Sequence, residues 1–484
     1  MDRISGGTTG CRVVAMPYPA RGHINPMMNV CKLLVSKLMD IINITFIVTE
    51  EWLGFIESEP RPPQIQLRSI PNVIPSELVR GSDRPAFVEA IFTKMEGPIE
   101  QILEQMQESS LMPVVTAIIA DTLLSWAVSI GNRRNIPVVS LWTMSPSVFS
   151  VFCHFDLVTQ NGHSAVDTSS ERGDELIDYI PGISPAIRLA DMPRMLHKTR
   201  VQVSGRMSEA FAFVHKAQCL IFTSFHELEA QVTETLMAVL PFPVYSVGPS
   251  IPHSTTLAGD HEREQTTTIT HNNNNMDYYF KWLDSQPKSS VLYVSFGSFY
   301  SVSREQMDEI LAGLRESGVR YLLVSRGDHA SGTVPPDDDD DEMLSSNLVV
   351  PWCDQLRVLC HSSVGGFWTH CGWNSTLEGV FAGVPMLTFP LGFDQITDRK
   401  LIVDDWKVGM KVMKEVGAER FVRKEEIGMI VKKFMDLDGD DEESKEMRRR
   451  AGELKESCRR ALAKGGSSDT NLNAFIRDIL KCHC

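Results

Sequence analysis

The chain has 484 residues, 43% apolar and 23% charged, which fits a folded soluble protein long enough for two or three domains. A formal net charge of −15 repels polyanions and excludes DNA or RNA as a main partner, without excluding a small anion in a local pocket. No run of about 18 apolar residues suggests a membrane span. The start "MDRISGGTTGCRVVAMPYPARGH" lacks the form of a secretory signal, so ten scattered cysteines fit reduced thiols and a cytoplasmic location.

Apolar runs and helical periods alternate along the chain. "CRVVAMPY" (Cys11 to Tyr18) reads as a buried strand. A helix is expected from Asn25 to Leu38, with Asn25 as cap and Pro26 in the first helical position. "ITFIVT" (Ile44 to Thr49), "VTAIIAD" (Val115 to Asp121) and "PVVSLW" (Pro137 to Trp142) are strands, the last two flanking a helix. The pattern breaks from Ser246 to Met276, a Gly-, Pro-, Thr- and Asn-rich linker or exposed loop. It then resumes with "SVLYVSFGS", "REQMDEILAGLRESG", "RYLLVSR", "NLVVPW", "SVGGFW", "STLEGVFAG" and "PMLTFP". Such alternation predicts parallel sheets with helices on both faces, α/β in class. The expected domains are 1–245, a linker at 246–280, and 281–455. A C-terminal helix at 456–484 would pack back on the first domain.

"THCGWNSTLEG" (Thr369 to Gly379) lies where the strand "SVGGFW" gives way to a helix expected to begin near Ser375, the sheet edge at which α/β proteins bind ligands. Gly372 permits a tight turn and close backbone approach, and the free amides of a helix start favour an anion. From Val358 to Asp398 there is no lysine or arginine, so a diphosphate here would depend on amides, Ser375, Thr376, Asn374 and His370. Ser375 and Glu378 also fit a capping box, in which Glu378 only satisfies backbone donors. From these residues alone, structural turn, phosphate cradle and metal site stay open.

Two flanking features favour a ligand. Trp352 and Gln355 in "PWCDQL" combine an aromatic face with an amide, as a nucleobase needs. Asp394 and Gln395 in "PLGFDQ" could grip vicinal hydroxyls. The acidic run from Asp337 to Glu342 reads as a solvated loop, and the terminal "KCHC" makes a poor zinc site.

Trp352 to Gln395, "WCDQLRVLCHSSVGGFWTHCGWNSTLEGVFAGVPMLTFPLGFDQ", resembles the donor-binding box of plant UDP-glycosyltransferases, in a subgroup opening with WCDQ. "PYPARGHINP", "IPGISPAIRLADMP", "IFTSFHELE" and "YSVGPSIP" extend the resemblance over nearly the whole chain. It implies a GT-B fold, two Rossmann-like domains facing a central cleft, and an inverting transfer from UDP-glucose to a small lipophilic alcohol, phenol or acid. UDP-sugar would be a co-substrate, and neither a metal nor another cofactor is implied. Trp352 would stack on uracil, with Cys353 in the same donor set and Gln355 near base and ribose. Glu378 would hold the ribose. His370, Gly372, Asn374 and Ser375, helped by Ser298, would hold the diphosphate. Trp373, Asp394 and Gln395 would meet the sugar, and Gln395 is usual in glucose users.

The resemblance makes His23 the general base, and the residues agree. His23 lies between the first strand and its helix, whose dipole favours the neutral imidazole a base needs. Asp121 ends a strand of the same sheet and can hold the second ring nitrogen. Arg21, two residues from His23, would either act on its charge or bind an acidic acceptor. The acceptor pocket is expected around Trp142 to Phe155 and Phe87 to Phe92. The rivals are a nucleotide-sugar sensor without catalysis, the same enzyme with another UDP-sugar, and a Rossmann oxidoreductase, which would need a G-x-G-x-x-G turn the chain lacks. Neither stable membrane insertion nor a particular oligomer is implied.

Overall fold

The computed structural model describes residues 10–77, 83–108, 114–163, 171–184, 186–193, 201–251, 277–297, 302–325, 346–412, 421–436 and 441–481. Ser298, the acidic run at 337–342, most of the expected linker and the last three residues lie outside them.

Seven strands form the first sheet: β1 (Cys11–Met16), β2 (Ile42–Thr49), β3 (Ile65–Ile70), β4 (Ala117–Asp121), β5 (Val138–Trp142), β6 (Cys219–Phe222) and β7 (Val244–Ser246). All pairings are parallel, in the order β3-β2-β1-β4-β5-β6-β7. The second sheet holds β8 (Val291–Ser295), β9 (Arg320–Val324), β10 (Asn347–Val350), β11 (Val364–Thr369), β12 (Met386–Thr388) and β13 (Gly409–Lys411). It too is parallel, in the order β10-β9-β8-β11-β12-β13. β1, β4, β5 and β8 are buried along their whole length, because helices cover both faces of each sheet.

In each sheet the strand order reverses once, between β1 and β4 in the first and between β8 and β11 in the second. The loops leaving adjacent strands there diverge to opposite faces and open a crevice. Met16 pairs with Ala120 at one such edge and Ser295 with Thr369 at the other. His23 and Asp121 follow the first edge, and His370 follows the second.

Helix starts differ from those expected. The first helix spans Arg21–Leu38, so Asn25 is not its cap and Pro26 lies inside it. The donor-box helix spans Trp373–Ala382 with Gly372 as N-cap, so Ser375 and Glu378 form no capping box. The C-terminal stretch is two helices. Glu442–Leu462 places Ala451, Cys458 and Ala461 in the second domain's core. Ser467–Phe475 and the turn after it place Leu472, Phe475, Ile476 and Leu480 in the core of the first. The return crossing therefore falls at 463–466, later than the expected boundary at 455. Among the described residues no helix is long and apolar enough to cross a membrane.

Direct contacts also join the domains. Arg399 Nη2 lies 2.7 Å from Asp191 Oδ1, with both side chains largely buried. Thr397 Oγ1 donates to the Asp191 carbonyl at 2.8 Å, and Ser184 Oγ to Asp405 at 3.1 Å.

Candidate active site

His23 sits in the first turn of helix Arg21–Leu38, its N–H bonded to the Ala20 carbonyl at 2.9 Å. Its Nδ1 lies 2.7 Å from Asp121 Oδ2 and 2.9 Å from Thr143 Oγ1. Asp121 is 1% exposed in its side chain, and its other oxygen accepts from the Leu123 N–H at 3.0 Å. With Asp121 ionised, the attractive arrangement puts the hydrogen on Nδ1 and leaves the Nε2 lone pair free. Thr143, the residue just after β5, is a partner that the sequence pattern does not announce. Arg21 points away from this histidine: its guanidinium reaches Glu59 at 3.7 Å and stands over the Trp52 ring.

The aromatic residues expected to line an acceptor pocket are mostly core. Trp142, Phe149 and Phe152 are at most 2% exposed and pack on one another and on Phe211. Nearer the histidine are Tyr18, its ring 5.0 Å from that of His23, and Phe87, 6.2 Å from Tyr18.

Across the cleft, His370 is held between two glycines. A Cβ on Gly297 or on Gly372 would lie 2.5 Å from its Nε2, so only bare backbone fits on either side. The left-handed residue of this turn is Cys371, at φ 66°, while Gly372 is an ordinary extended cap. The glycine is needed for close approach rather than for the turn. His370 Nδ1 is buried with no hydrogen-bond partner among the described residues, and burial pulls the imidazole down to about 4. It is therefore neutral at physiological pH. Together with the open amides of helix Trp373–Ala382, it makes a dipolar turn, and its own segment from Val358 to Asp398 has no lysine or arginine.

Gln355 organises the next part. Its Oε1 accepts from Tyr293 at 3.1 Å, and its Nε2 donates to Ser375 Oγ at 2.9 Å and Glu378 Oε2 at 2.7 Å. Burial pushes the Glu378 carboxyl up to about 7. Cys353 is buried against the Tyr293 hydroxyl, whereas Trp352 is 54% exposed, a free aromatic face beside Gln355. Asp354 caps helix Gln355–Leu359 through the Arg357 N–H, so an acid in this position holds the loop in shape.

The Trp373 side chain is core, 3% exposed with its ring 6.2 Å from Trp406, which leaves its backbone to meet any ligand. Asn374 Nδ2 donates to the Gly22 carbonyl in the other domain at 2.8 Å. Gln395 Oε1 ties down the Leu391 and Gly392 N–H groups at 2.7 and 2.9 Å. Asp394 is buried, which pushes its carboxyl up. The two switch-point crevices thus face one another.

A partnered histidine lies at one crevice, and an amide-lined turn with no lysine or arginine in its own sequence lies at the other. Residues 265–423 match the family described as UDP-glucoronosyl and UDP-glucosyl transferase. UDP-glycosyltransferase 87A1 of Arabidopsis thaliana is 48% identical over 96% of this chain and 100% of its own length, and 87A2 is 48% identical over 96% of each. Among solved structures, UGT71G1 of Medicago truncatula complexed with UDP-glucose superposes with a TM-score of 0.78 at 25% identity, covering 99% of this chain and 100% of that one. UGT2 of Phytolacca americana, complexed with UDP-2fluoro-glucose and pterostilbene, gives 0.77 at 25% identity over 96% and 98%. The chain belongs to the plant family 1 UDP-glycosyltransferases: it is a glycosyltransferase with the GT-B fold.

Proposed function

We propose that this enzyme moves glucose from UDP-glucose to a hydroxyl or carboxyl of a small lipophilic acceptor, with inversion. His23 Nε2 takes the acceptor proton as the acceptor oxygen bonds to the anomeric carbon. The bond from that carbon to the diphosphate breaks, and UDP leaves. The transition state gathers positive charge on the sugar ring, as in glycoside hydrolysis. Asp121 fixes the tautomer of His23 and stabilises the imidazolium that forms, with Thr143 beside the same nitrogen.

On the donor side, exposed Trp352 stacks on uracil beside Cys353 and Gln355, and Glu378 takes the ribose hydroxyls. His370, Ser375, the amides after Gly372 and the remaining N–H of Asn374 hold the diphosphate, with Ser298 as a further donor. Asp394 and Gln395 take sugar hydroxyls, and Trp373 contributes its backbone. Glucose is supported by Gln395 and by relatives solved with UDP-glucose and its fluoro analogue. A lipophilic acceptor is supported by Tyr18 and Phe87 near His23 and by the pterostilbene of the Phytolacca americana relative.

The observation that carries this reading is the 2.7 Å contact between His23 and Asp121, opposite the donor box. The test is UDP release from UDP-glucose with a pool of phenols, alcohols and acids, with EDTA present, by wild type and His23→Ala. General-base assistance is worth about 10²–10⁴-fold, so the variant should lose that much turnover while binding UDP-glucose normally. Donor affinity collapsing along with turnover would remove His23 from the role of base.

A further inference from the structure

Four residues beyond Asp394, on the same helix (Gln395–Lys400, with Asp394 as its N-cap), is a second acid that no part of the mechanism above uses. Asp398 is 0% exposed, and neither carboxyl oxygen has a hydrogen-bond partner among the described residues. The Asp394 carboxyl, one turn earlier, and the Ser145 hydroxyl are the groups that act on it most strongly. The adjacent cations are committed elsewhere, Arg399 to Asp191 and Lys400 to Asp405. The other titratable groups acting on the pair are His23 and Glu229 of the first domain and Cys371 of the second. Like charges one turn apart repel, and more strongly out of water.

We propose that Asp398 is a positioning residue: as a neutral acid it donates its proton to the Asp394 carboxylate, and so keeps Asp394 charged and aimed at the donor sugar. Two buried carboxyls with no donor between them cannot both ionise, so the pair holds one proton. Asp398 is the one that keeps it. Burial and the neighbouring acids Asp394 and Glu229 push its pKa well above the ordinary range. Asp394 rises by burial too, but the neighbouring Asp398 side chain and the backbone N–H at its own position pull it back down. The proton then serves two ends: it removes the repulsion, and it occupies one side of Asp394 so that the remaining lone pairs face the cleft. This rests on the reading that Asp394 meets the sugar.

The test separates sugar from nucleotide. KM for UDP-glucose and Kd for UDP are measured for wild type, Asp398→Asn, Asp398→Ala and Asp394→Ala. An Asn amide can still donate to Asp394, so Asp398→Asn should stay within about threefold of wild type. Asp398→Ala should raise KM for UDP-glucose about tenfold, with Kd for UDP unchanged. Asp398→Asn behaving like Asp398→Ala, or UDP affinity falling in step with KM, overturns the proposal. Asp394→Ala leaving KM unmoved would instead sink the sugar-contact reading. Should Asp398→Ala fail to fold, the ratio of KM for UDP-glucose to Kd for UDP decides. In wild type it should rise at alkaline pH, as Asp398 loses its proton, and in Asp398→Asn it should stay flat. A rise in both overturns the assignment.

Discussion

The side-chain amide of Asn374 donates to the backbone carbonyl of Gly22 at 2.8 Å, tying the helix that carries His23 to the helix of the donor box. That carbonyl is available because its helical partner would be the N–H of residue 26, which is a proline. The orphaned acceptor is thus satisfied from the other domain.

Asn374→Ala should lower kcat/KM by at least about two- to tenfold, the value of the hydrogen bond to Gly22, with the lost diphosphate contact adding to it. Pro26→Ala supplies the missing N–H, so in that background the loss from Asn374→Ala should shrink. Steady-state kinetics on the four members of this cycle decide the matter; strict additivity would show that the two residues are uncoupled.

Donor affinity should depend on pH through Glu378, whose carboxyl lies at about 7 in the free enzyme. Ribose hydroxyls favour the carboxylate, so UDP-glucose binding should reach its full value just above that pH, before the alkaline loss through Asp398. It should weaken by up to about tenfold for each unit below it. His370, pulled down to about 4, stays neutral throughout and adds nothing to the profile. Calorimetric titration at several pH values should give a sloping profile for wild type and a flat one for Glu378→Gln.

Gly372→Ala would drive a methyl to 2.5 Å from His370 Nε2 at a backbone conformation any residue tolerates, so its effect is purely steric. Overpacking of this kind costs about 1–3 kcal/mol. Melting temperature should fall and then recover in the double variant Gly372→Ala, His370→Ala. UDP affinity should not recover, because His370 is itself a proposed phosphate contact.

Glu229 links pH to stability. It is buried and accepts from the Ser147 N–H and hydroxyl at 3.1 and 2.6 Å, yet burial still pushes it up to about 7. The folded value lies above the unfolded one of about 4.3, so its contribution is fully present below the latter. It is lost as pH rises towards 7, at a cost of a few kcal/mol at most. Glu229→Gln keeps the Ser147 acceptor and cannot ionise. Between pH 5 and 8 its melting temperature should therefore fall less than that of wild type.

What could be read in the sequence was set by chain-local pattern. His23 and His370 come just after apolar strands and Asp121 ends one, so their place at the sheet edge is legible in the sequence, while their roles come from the family resemblance. The helix starts differ from the expected ones because their determinants are remote. Asn25-Pro26 has the form of a cap, but the donor that lets Pro26 sit inside the helix comes from Asn374, far along the chain. Ser375 and Glu378 have the spacing of a capping box, but Gln355 engages both. The aromatics from Trp142 to Phe155 announce apolar surface without saying that they pack on each other. Asp398 left a usable signal, an acid one turn after Asp394, which only burial turns into a question.

Helix Glu442–Leu462 seats Ala451, Cys458 and Ala461 in the core of the second domain, and after 463–466 the chain seats Leu472, Phe475, Ile476 and Leu480 in the core of the first. The lobe that carries His23 is therefore finished by residues made last. Until they arrive, its apolar interior has an open side, so this half of the site depends on the far end of the chain.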